Sequence, residues 1–203
     1  MLTLYHAPQS RSGRIMILLD EMGIRDKVDV KLTTIVRRDG SSQIDPANPH
    51  PEGKVPALVH DGTVITESAA IILYLTDLFP NSGMAPLPGA AKRGEYLSWL
   101  FWYGSVMEPV LMMQAAGLVH PMIERNFRGV AEVTARLAKA LAHQPYLLGD
   151  SYGAVDLLLH SPYAWMPDAT PDVPVIRDWI ARCKNRPTVA RMTAQDAELM
   201  ASA

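Results

Sequence analysis

Residues 53–71 read GKVPALVHDGTVITESAAI, and this stretch decides the fold. Residues 55–59 and 63–65 are short apolar segments of the kind found in β-strands. Between them stands Asp61-Gly62, a dipeptide that favours the two-residue type I′ turn. The stretch therefore predicts a β-hairpin made of two antiparallel strands.

Pro56 and the residues after the hairpin limit how this unit is built. Proline has no N–H to donate, so Pro56 belongs at a strand start or on a sheet edge. Glu67 and Ser68 then open a predicted helix, which ends at Phe79-Pro80. One face of this helix is apolar and carries Ile71, Tyr74, Leu75 and Leu78. The order of elements after residue 53 is therefore strand, strand, helix.

The chain before this unit predicts a βαβ arrangement. Residues 2–6 and 28–32 are typical of strands, and the second alternates apolar with charged residues. Between them, apolar residues recur at helical spacing up to a terminating Gly23, namely Ile15, Leu18, Leu19 and Met22. A βαβ unit followed by a ββα unit, with a proline at the start of the third strand, is the thioredoxin-like plan.

The segment 80–89 is rich in proline and glycine and is the best candidate for a linker between domains. Everything after it is typical of helices. Predicted helices cover about 91–118 with a kink at Pro109, then 122–143, 154–166 and 175–186, and a short one follows Pro187. We therefore expect an α/β thioredoxin-like N-terminal domain over residues 1–80 and an all-α C-terminal domain over residues 90–203.

Composition argues against several classes of function. Hydrophobic residues make up 48% and charged residues 20% of the chain, which is ordinary for a folded protein. The formal net charge of -2 offers no basic surface, so nucleic acid is not an expected partner. Cys183 is the sole cysteine, which excludes an intrachain disulfide, and no metal site is expected. Without a signal-peptide pattern or an unbroken apolar span, we expect a cytoplasmic protein with no membrane partner.

Taken in order, these motifs resemble the glutathione S-transferase family over nearly the whole chain. Residues 53–58 and 65–71 are similar to that family's glutathione-binding signature, including the spacing between Val55-Pro56 and Glu67. Further similar segments are Leu4–Pro8, Leu147–Asp156 and Arg186-Pro187. The loop at residues 8–12, Pro-Gln-Ser-Arg-Ser, is most similar to the bacterial and fungal branch, in which it reads Pro-x-Ser-Arg-Ser.

The resemblance implies a glutathione transferase, with glutathione as co-substrate, whose thiolate attacks a small hydrophobic electrophile. It also implies a homodimer. Glutathione-dependent disulfide reduction, peroxide reduction or isomerisation would use the same thiolate. A non-catalytic module of this fold that binds a protein or an apolar ligand is the alternative from another class. A thioredoxin or glutaredoxin is rejected because the chain has no C-x-x-C motif.

The resemblance also implies which residues hold glutathione, an extended tripeptide with two carboxylates, an ammonium and a thiol. The backbone of Val55 pairs with the cysteinyl part as an added strand would, beside a cis Pro56. Ser68, at a helix start, binds the γ-glutamyl carboxylate, and Glu67 pairs with the ammonium. Lys54 meets the glycine carboxylate.

His50 and Asn48 are possible helpers of that last contact. Taken singly, each residue of the set also has a purely structural reading. A Val-Pro pair usually starts a strand, and Glu-Ser before an apolar helix is usually a capping arrangement. The functional reading rests on their occurring together at the family's spacing.

The group that activates the thiol is the open point of the sequence. A free thiol titrates near ~8.5, so a transferase must stabilise the thiolate with a hydrogen-bond donor or a positive field. Gln9 stands where many relatives place a catalytic serine, and Arg11 where others place a cysteine. Ser10 is the preferred hydroxyl, ahead of Ser12, which could instead cap the first helix, and Arg11 could add positive field. Tyr5, where tyrosine-type classes carry their activator, is a further alternative.

The helical part offers three candidate substrate contacts on one helix face, Trp99, Tyr103 and Met107. In the family this helix lines the hydrophobic substrate pocket, and core packing is the alternative reading. Glu108 is a candidate for a contact with the partner subunit's glutathione. Asp156 matches the acidic end of the family's capping box, but Gly153 replaces the usual hydroxyl residue. We therefore expect Asp156 to be a weaker determinant of folding here.

Overall fold

A computed structural model of the protein describes residues 1–37 and 39–201. Within these residues, four strands form one sheet in the order β2-β1-β3-β4, and their bounds are β1 Leu2–His6, β2 Val28–Leu32, β3 Ala57–His60 and β4 Thr63–Ile65. β1 and β2 are parallel, with Leu2 opposite Val28. β3 is antiparallel to β1 and to β4. The predicted βαβ and ββα units are confirmed.

The hairpin between β3 and β4 has the predicted turn. Asp61 has a φ of 47° and Gly62 a φ of 85°, and a type I′ turn requires positive φ at both central residues. Pro56 lies one residue before the start of β3, outside the ladder, because it has no N–H to donate. The strand therefore begins at Ala57, two residues later than the apolar run in the sequence.

Three helices belong to the same compact unit as the sheet, namely α1 Gly13–Glu21, α2 Ser68–Leu78 and α9 Pro187–Ala201. This unit comprises residues 1–84 together with the chain from residue 186 onward. Its apolar centre is fully buried and includes Leu4, Ile15, Leu18, Leu58, Ile71 and Leu75. The last helix packs with α1, on the side of the first unit. The domain limits 1–80 and 90–203 stay a prediction.

A partly buried ion pair joins α1 to the residue before α9. The Arg186 guanidinium donates Nε–H to Glu21 Oε1 at 2.7 Å and Nη2–H to Oε2 at 2.6 Å, and the Thr188 hydroxyl also donates to Glu21. Burial raises the pKa of the Glu21 carboxyl, but the bonds from Arg186 and Thr188 outweigh it and leave that pKa below its ordinary value. Glu21 is therefore stabilised as a carboxylate in the folded protein.

Arg186→Met is expected to lower the free energy of unfolding by about 2 kcal/mol at pH 7, because it leaves the buried Glu21 carboxylate unpaired. A carboxyl whose pKa is lower in the folded protein stabilises it at pH values above the unfolded-state pKa, and this stabilisation is lost as pH falls. The difference in unfolding free energy between Arg186→Met and wild type should therefore shrink only below about pH 4. Urea unfolding measures it. Arg191→Met is the control, since Arg191 lies 3.7 Å from Asp20 and is 61% exposed. Equal losses in the two variants would contradict the expectation.

The second unit, residues 85–185, is helical. Its helices within the described residues are α3 Arg93–Trp102, α4 Glu108–Ala115, α5 Pro121–Phe127, α6 Gly129–Leu141, α7 Ala154–Trp165 and α8 Pro174–Lys184. The expectation of an all-α second part is confirmed, and so is the expected fold class. None of the helices in the described part of the chain is long and apolar enough to cross a membrane.

Two predicted helices of this unit are interrupted. The helix expected over 91–118 has a π-helical turn at Tyr103–Met107, and α4, with Pro109 as its second residue, continues directly from that turn. The expected kink at Pro109 stays a prediction. The helix expected over 122–143 divides into α5 and α6 because Arg128 and Gly129 have φ of 52° and 73°, in the left-handed region.

Candidate functional site

Three segments meet at one end of the sheet of the first unit. The loop Ala7–Ser12 follows the end of β1, and the register pairs Tyr5 with Ala57, the first residue of β3. The register also pairs Leu58 with Ile65, so β4 ends where β3 begins. The loop, the Val55-Pro56 pair and the start of α2 therefore lie at the same end of the sheet. The strand register therefore places the loop that is predicted to hold the thiol and the residues that are predicted to bind glutathione at the same end of the sheet.

The two serines of the loop differ in access to solvent. Ser12 is 0% exposed, and its Oγ lies 2.8 Å from His6 Nδ1 and accepts the Ala7 N–H at 3.1 Å. Ser10 is half-buried, and its Oγ lies 2.7 Å from Ser12 Oγ and 2.7 Å from the Ala7 carbonyl oxygen. Of the two serines, only Ser10 is in contact with solvent.

Ser12 is the N-cap residue of α1, but its hydroxyl makes no capping bond. The Ser12 hydroxyl is instead bound to His6, a residue that the sequence analysis did not single out. His6 is 1% exposed, and its Nε2 lies 3.0 Å from Asp196 Oδ1. Burial lowers the pKa of His6 below its ordinary value, although the nearby Asp196 carboxylate acts in the opposite direction. A neutral His6 is the form that burial favours.

The backbone of the loop is held at two further points. The Gln9 N–H donates to Asp196 Oδ2 at 2.6 Å, and Gln9 has a φ of 51°. The Arg37 guanidinium donates to the carbonyl oxygens of Pro8 at 2.8 Å and of Gln9 at 3.3 Å. Arg11, the cation that the sequence suggested, is exposed. The Arg37 guanidinium thus holds the loop through two of its backbone carbonyl oxygens.

Tyr5, the alternative activator, is half-buried at the end of β1. The Lys31 ammonium lies 5.9 Å from the centre of its ring, within the range of a cation–π contact.

The predicted cradle begins at Val55 and Pro56, which are both buried, and the peptide bond between them is cis, as the resemblance implied. A compact turn precedes them. Asn48, 9% exposed, accepts the His50 N–H at 3.0 Å and donates its Nδ2–H to the Lys54 carbonyl oxygen at 3.1 Å. The Asn48 side chain is thus occupied in shaping this turn rather than directed at a ligand.

Gly53 is required in that turn. It has a φ of 62°, and a Cβ at this position would meet the side chain of Ile44 at 2.6 Å. Lys54 is exposed and forms an ion pair with Glu52. His50 Nδ1 accepts the Glu52 N–H at 3.1 Å, so the His50 ring faces the same turn.

Glu67 and Ser68 stand at the start of α2. Glu67 is the N-cap residue, its side chain makes no capping bond and is exposed, and its backbone has a φ of 66°. Such a conformation is uncommon for a non-glycine residue and costs about 1 kcal/mol or more. Ser68 is 7% exposed and is the first residue of the helix, where backbone N–H groups and the helix dipole favour an anion. The side chain of Glu67 is not used for capping.

In the helical unit, Trp99, Tyr103 and Met107 are all at least 96% buried, with exposures of 4%, 2% and 0%. The Arg136 guanidinium lies over the ring of Trp99 at 4.6 Å and over that of Trp102 at 4.4 Å. These contacts fit the core-packing reading of the three residues. Their role as substrate contacts stays a prediction.

Sequence reasoning missed His6, Asp196 and Arg37. His6 lies 190 positions from Asp196 and Arg37 lies 28 from Gln9, and neither pair belongs to a motif. A signal for His6 did exist, because a histidine at the end of a buried strand needs a hydrogen-bond partner. No motif in the sequence indicates which residue that partner is.

A thioredoxin-like sheet unit with a cis-proline, together with an all-helical unit, defines the glutathione S-transferase class of fold. Residues 4–83 match the family model described as "Glutathione S-transferase, N-terminal domain". Residues 109–187 match the family model described as "Glutathione S-transferase, C-terminal domain". The chain belongs to the glutathione S-transferase family.

Individual relatives agree with this assignment. The chain is 28% identical to Protein LigF of Sphingobium sp., over 70% of this chain and 74% of that protein. It is 26% identical to the Glutathione S-transferase-like protein OpS6 of Beauveria bassiana, over 96% of this chain and 94% of that protein. Among solved structures, a sphingomonad glutathione S-transferase complexed with glutathione is 27% identical, with a TM-score of 0.75 over 96% of this chain and 98% of that chain.

Proposed function

We propose that this protein is a glutathione transferase, which binds glutathione at the end of the sheet and activates its thiolate for attack on a small hydrophobic electrophile. The observation that carries the proposal is the half-buried Ser10 hydroxyl, which shares one end of the sheet with Val55 and with the start of α2. Glutathione-bound relatives of this fold, such as the sphingomonad enzyme, support a glutathione ligand.

In the proposed complex, the Val55 backbone pairs with the cysteinyl part of glutathione, next to Pro56. Ser68 and the N–H groups of α2 bind the γ-glutamyl carboxylate, and the exposed Glu67 carboxylate pairs with the ammonium. Lys54 would exchange its contact with Glu52 for the glycine carboxylate, with His50 at the same turn. Each charged group of the tripeptide thus has an oppositely charged or hydrogen-bonding partner.

The thiol then lies against the loop between β1 and α1. Ser10 donates its hydroxyl proton to the sulfur, and the N-terminal end of α1 adds positive potential, with Arg11 as a further cation of the loop. Both effects stabilise the thiolate relative to the thiol, whose proton leaves to solvent. The thiolate forms the carbon–sulfur bond with the electrophile, whose leaving group departs with the bonding electrons.

The test is an ultraviolet titration of the thiolate in the glutathione complex, after calorimetry has established binding. We expect the thiol pKa to fall from its free value of ~8.5 to about 7 or below on binding. Binding with an unshifted pKa would contradict the enzyme reading and leave the non-catalytic binding module. The specific observation behind that alternative is Gln9, which occupies the position of the family's serine and is exposed.

Glu67→Ala combined with Ser68→Ala is expected to weaken glutathione binding by about 100-fold, because each charge-assisted contact contributes ~1.5 kcal/mol. Calorimetric titration measures the dissociation constant. Thr63→Ala, an exposed position on the neighbouring strand β4, is the matched control and should bind as the wild type does. A double variant with wild-type affinity would show that glutathione binds elsewhere.

We also propose the finer assignments that follow from the family. The loop Pro8–Ser12 supports a place in the bacterial and fungal branch, and family membership supports a cytoplasmic homodimer.

Trp99, Tyr103 and Met107 are proposed to form the inner wall of the electrophile pocket, with their burial reflecting a packed wall. Assays with an aryl halide, a hydroperoxide and a mixed disulfide would separate transferase, peroxidase and disulfide reductase activity.

A further inference from the structure

The last helix, α9, supplies one carboxylate that contacts the loop Ala7–Ser12 at Gln9 and also contacts His6, at the end of β1, which in turn contacts Ser12 of the loop. We propose that Asp196 is a positioning residue for thiol activation, holding the loop so that Ser10 is the hydroxyl presented to the sulfur. The inference rests on the proposed function and deepens it. Asp196 is 7% exposed and lies more than 180 positions from the loop in sequence.

The first contact supports an unfavourable backbone conformation. Gln9, directly before Ser10, has a φ of 51°, which costs a non-glycine residue about 1 kcal/mol. Its N–H donates to Asp196 Oδ2 at 2.6 Å, the short distance expected when the acceptor is a carboxylate. Without this acceptor the Gln9 backbone would relax toward ordinary φ values and carry Ser10 with it. Asp196 thus offsets the strain at the residue that sets the direction of Ser10.

The second contact fixes which atoms carry protons. A carboxylate can only accept, so Asp196 Oδ1 at 3.0 Å requires the proton of a neutral His6 to be on Nε2. His6 Nδ1 is then an acceptor, and the Ser12 hydroxyl donates to it at 2.8 Å in preference to the Ala7 carbonyl oxygen, which lies farther away at 3.2 Å. With its proton committed to His6, Ser12 acts as an acceptor toward the Ala7 N–H and toward Ser10.

Ser10 is consequently the hydroxyl whose proton can turn toward an incoming sulfur. Its proton has the Ala7 carbonyl and Ser12 Oγ as acceptors in the free protein, and neither is charged. A thiolate is a stronger acceptor than either, because a hydrogen bond to an ionised group is about twice as strong. Hydrogen bonds that run from Asp196 through His6 and Ser12 to Ser10 therefore make Ser10 the donor. Asp196 has this influence although its helix lies at the other end of the sequence.

The experiment compares Asp196→Ala and Asp196→Asn with Gln195→Ala, an exposed control on the same helix. In Asp196→Ala we expect the pKa of the bound thiol to rise by about one unit, a loss of thiolate that approaches tenfold at pH values well below that pKa, with glutathione affinity within about threefold. Asn retains an oxygen for the Gln9 N–H and should recover part of the loss. A thiol pKa in Asp196→Ala within 0.2 units of the control (about 1.6-fold) would overturn the proposal.

A second measurement needs no glutathione, so failure of the positioning role and failure of the proposed function are distinguishable. In the free wild type, ¹⁵N NMR should show His6 protonated on Nε2 and a Gln9 amide protected from exchange. In Asp196→Asn the amide oxygen is needed by the Gln9 N–H, which places the NH₂ group against His6; because NH₂ can only donate, the tautomer should reverse. If Asp196→Ala does not fold, Asp196→Asn decides: an unchanged His6 tautomer and thiol pKa would overturn the proposal.

Discussion

Ser10→Ala is expected to lower kcat/KM for glutathione conjugation by about 20-fold at pH 7, while the affinity for glutathione changes by less than about threefold. The reason is that the variant removes the donor to the sulfur and leaves the cradle at Val55, Glu67 and Ser68 in place. The pKa of the bound thiol should return toward ~8.5, so most of the lost rate should be recovered at higher pH. The pH profile of kcat/KM measures this shift.

Ser12→Ala and Tyr5→Phe are the matched controls for Ser10→Ala. Ser12→Ala removes the partner of His6 Nδ1 and of the Ala7 N–H, so it should lower the free energy of unfolding by about 2 kcal/mol while retaining most of the thiolate at the site. Tyr5→Phe should be close to wild type. The assignment to Ser10 is wrong if Ser10→Ala keeps the low thiol pKa and either control loses it.

The features that could be predicted from the sequence are those determined by neighbouring residues. Asp61-Gly62 predicted the hairpin because few other dipeptides adopt positive φ at two successive positions. Pro56 predicted a strand start because it lacks a donor, and β3 does begin just after it. The preference for Ser10 over Ser12 came from local position and stays a prediction, and the structure adds the observation that Ser12 is 0% exposed.

The features that could not be predicted depend on residues far apart in the chain. Nothing local indicates that Asp196, on the last helix, binds both His6 and Gln9. The division between α5 and α6 was also missed, because Arg128 is not a residue type that signals a left-handed conformation. The contacts of Asp196 arise because the last helix packs against α1. Neither helix propensity nor hydrophobic periodicity predicts such packing.

Asp156→Ala is expected to lower the free energy of unfolding by about 4 kcal/mol, the largest effect on stability expected for a single residue of the helical unit. Asp156 is 0% exposed at the third position of α7, and one of its oxygens, Oδ1, accepts the Leu147 N–H at 2.9 Å and the Trp179 Nε1–H at 2.8 Å. Its Oδ2 accepts the Gly153 N–H at 3.0 Å. Alanine would leave three donors without an acceptor.

This expectation differs from the one drawn from the sequence, which was that Asp156 is a weaker determinant of folding because Gly153 lacks a hydroxyl. The missing half of the capping box removes one bond to the N-terminus of α7, whereas the carboxylate joins three separate segments of the helical unit. Chemical unfolding of Asp156→Ala beside Glu132→Ala, an exposed acid in the first turn of α6, measures the difference. A loss of under 1 kcal/mol in Asp156→Ala would restore the weaker role.

Asp156→Asn adds a pH dependence whose sign follows from burial. Burial, opposed by the bonds from Leu147, Trp179 and Gly153, raises the pKa of Asp156 to about 6. A carboxyl with a raised folded-state pKa binds a proton more tightly when folded, so its contribution to stability declines as pH rises from about 4 to about 6. Asn cannot ionise and lacks this decline. The loss of unfolding free energy in Asp156→Asn relative to wild type should therefore be larger at pH 5 than at pH 7. If this loss instead grows between pH 5 and pH 7, the three donors lower the pKa of Asp156 more than burial raises it.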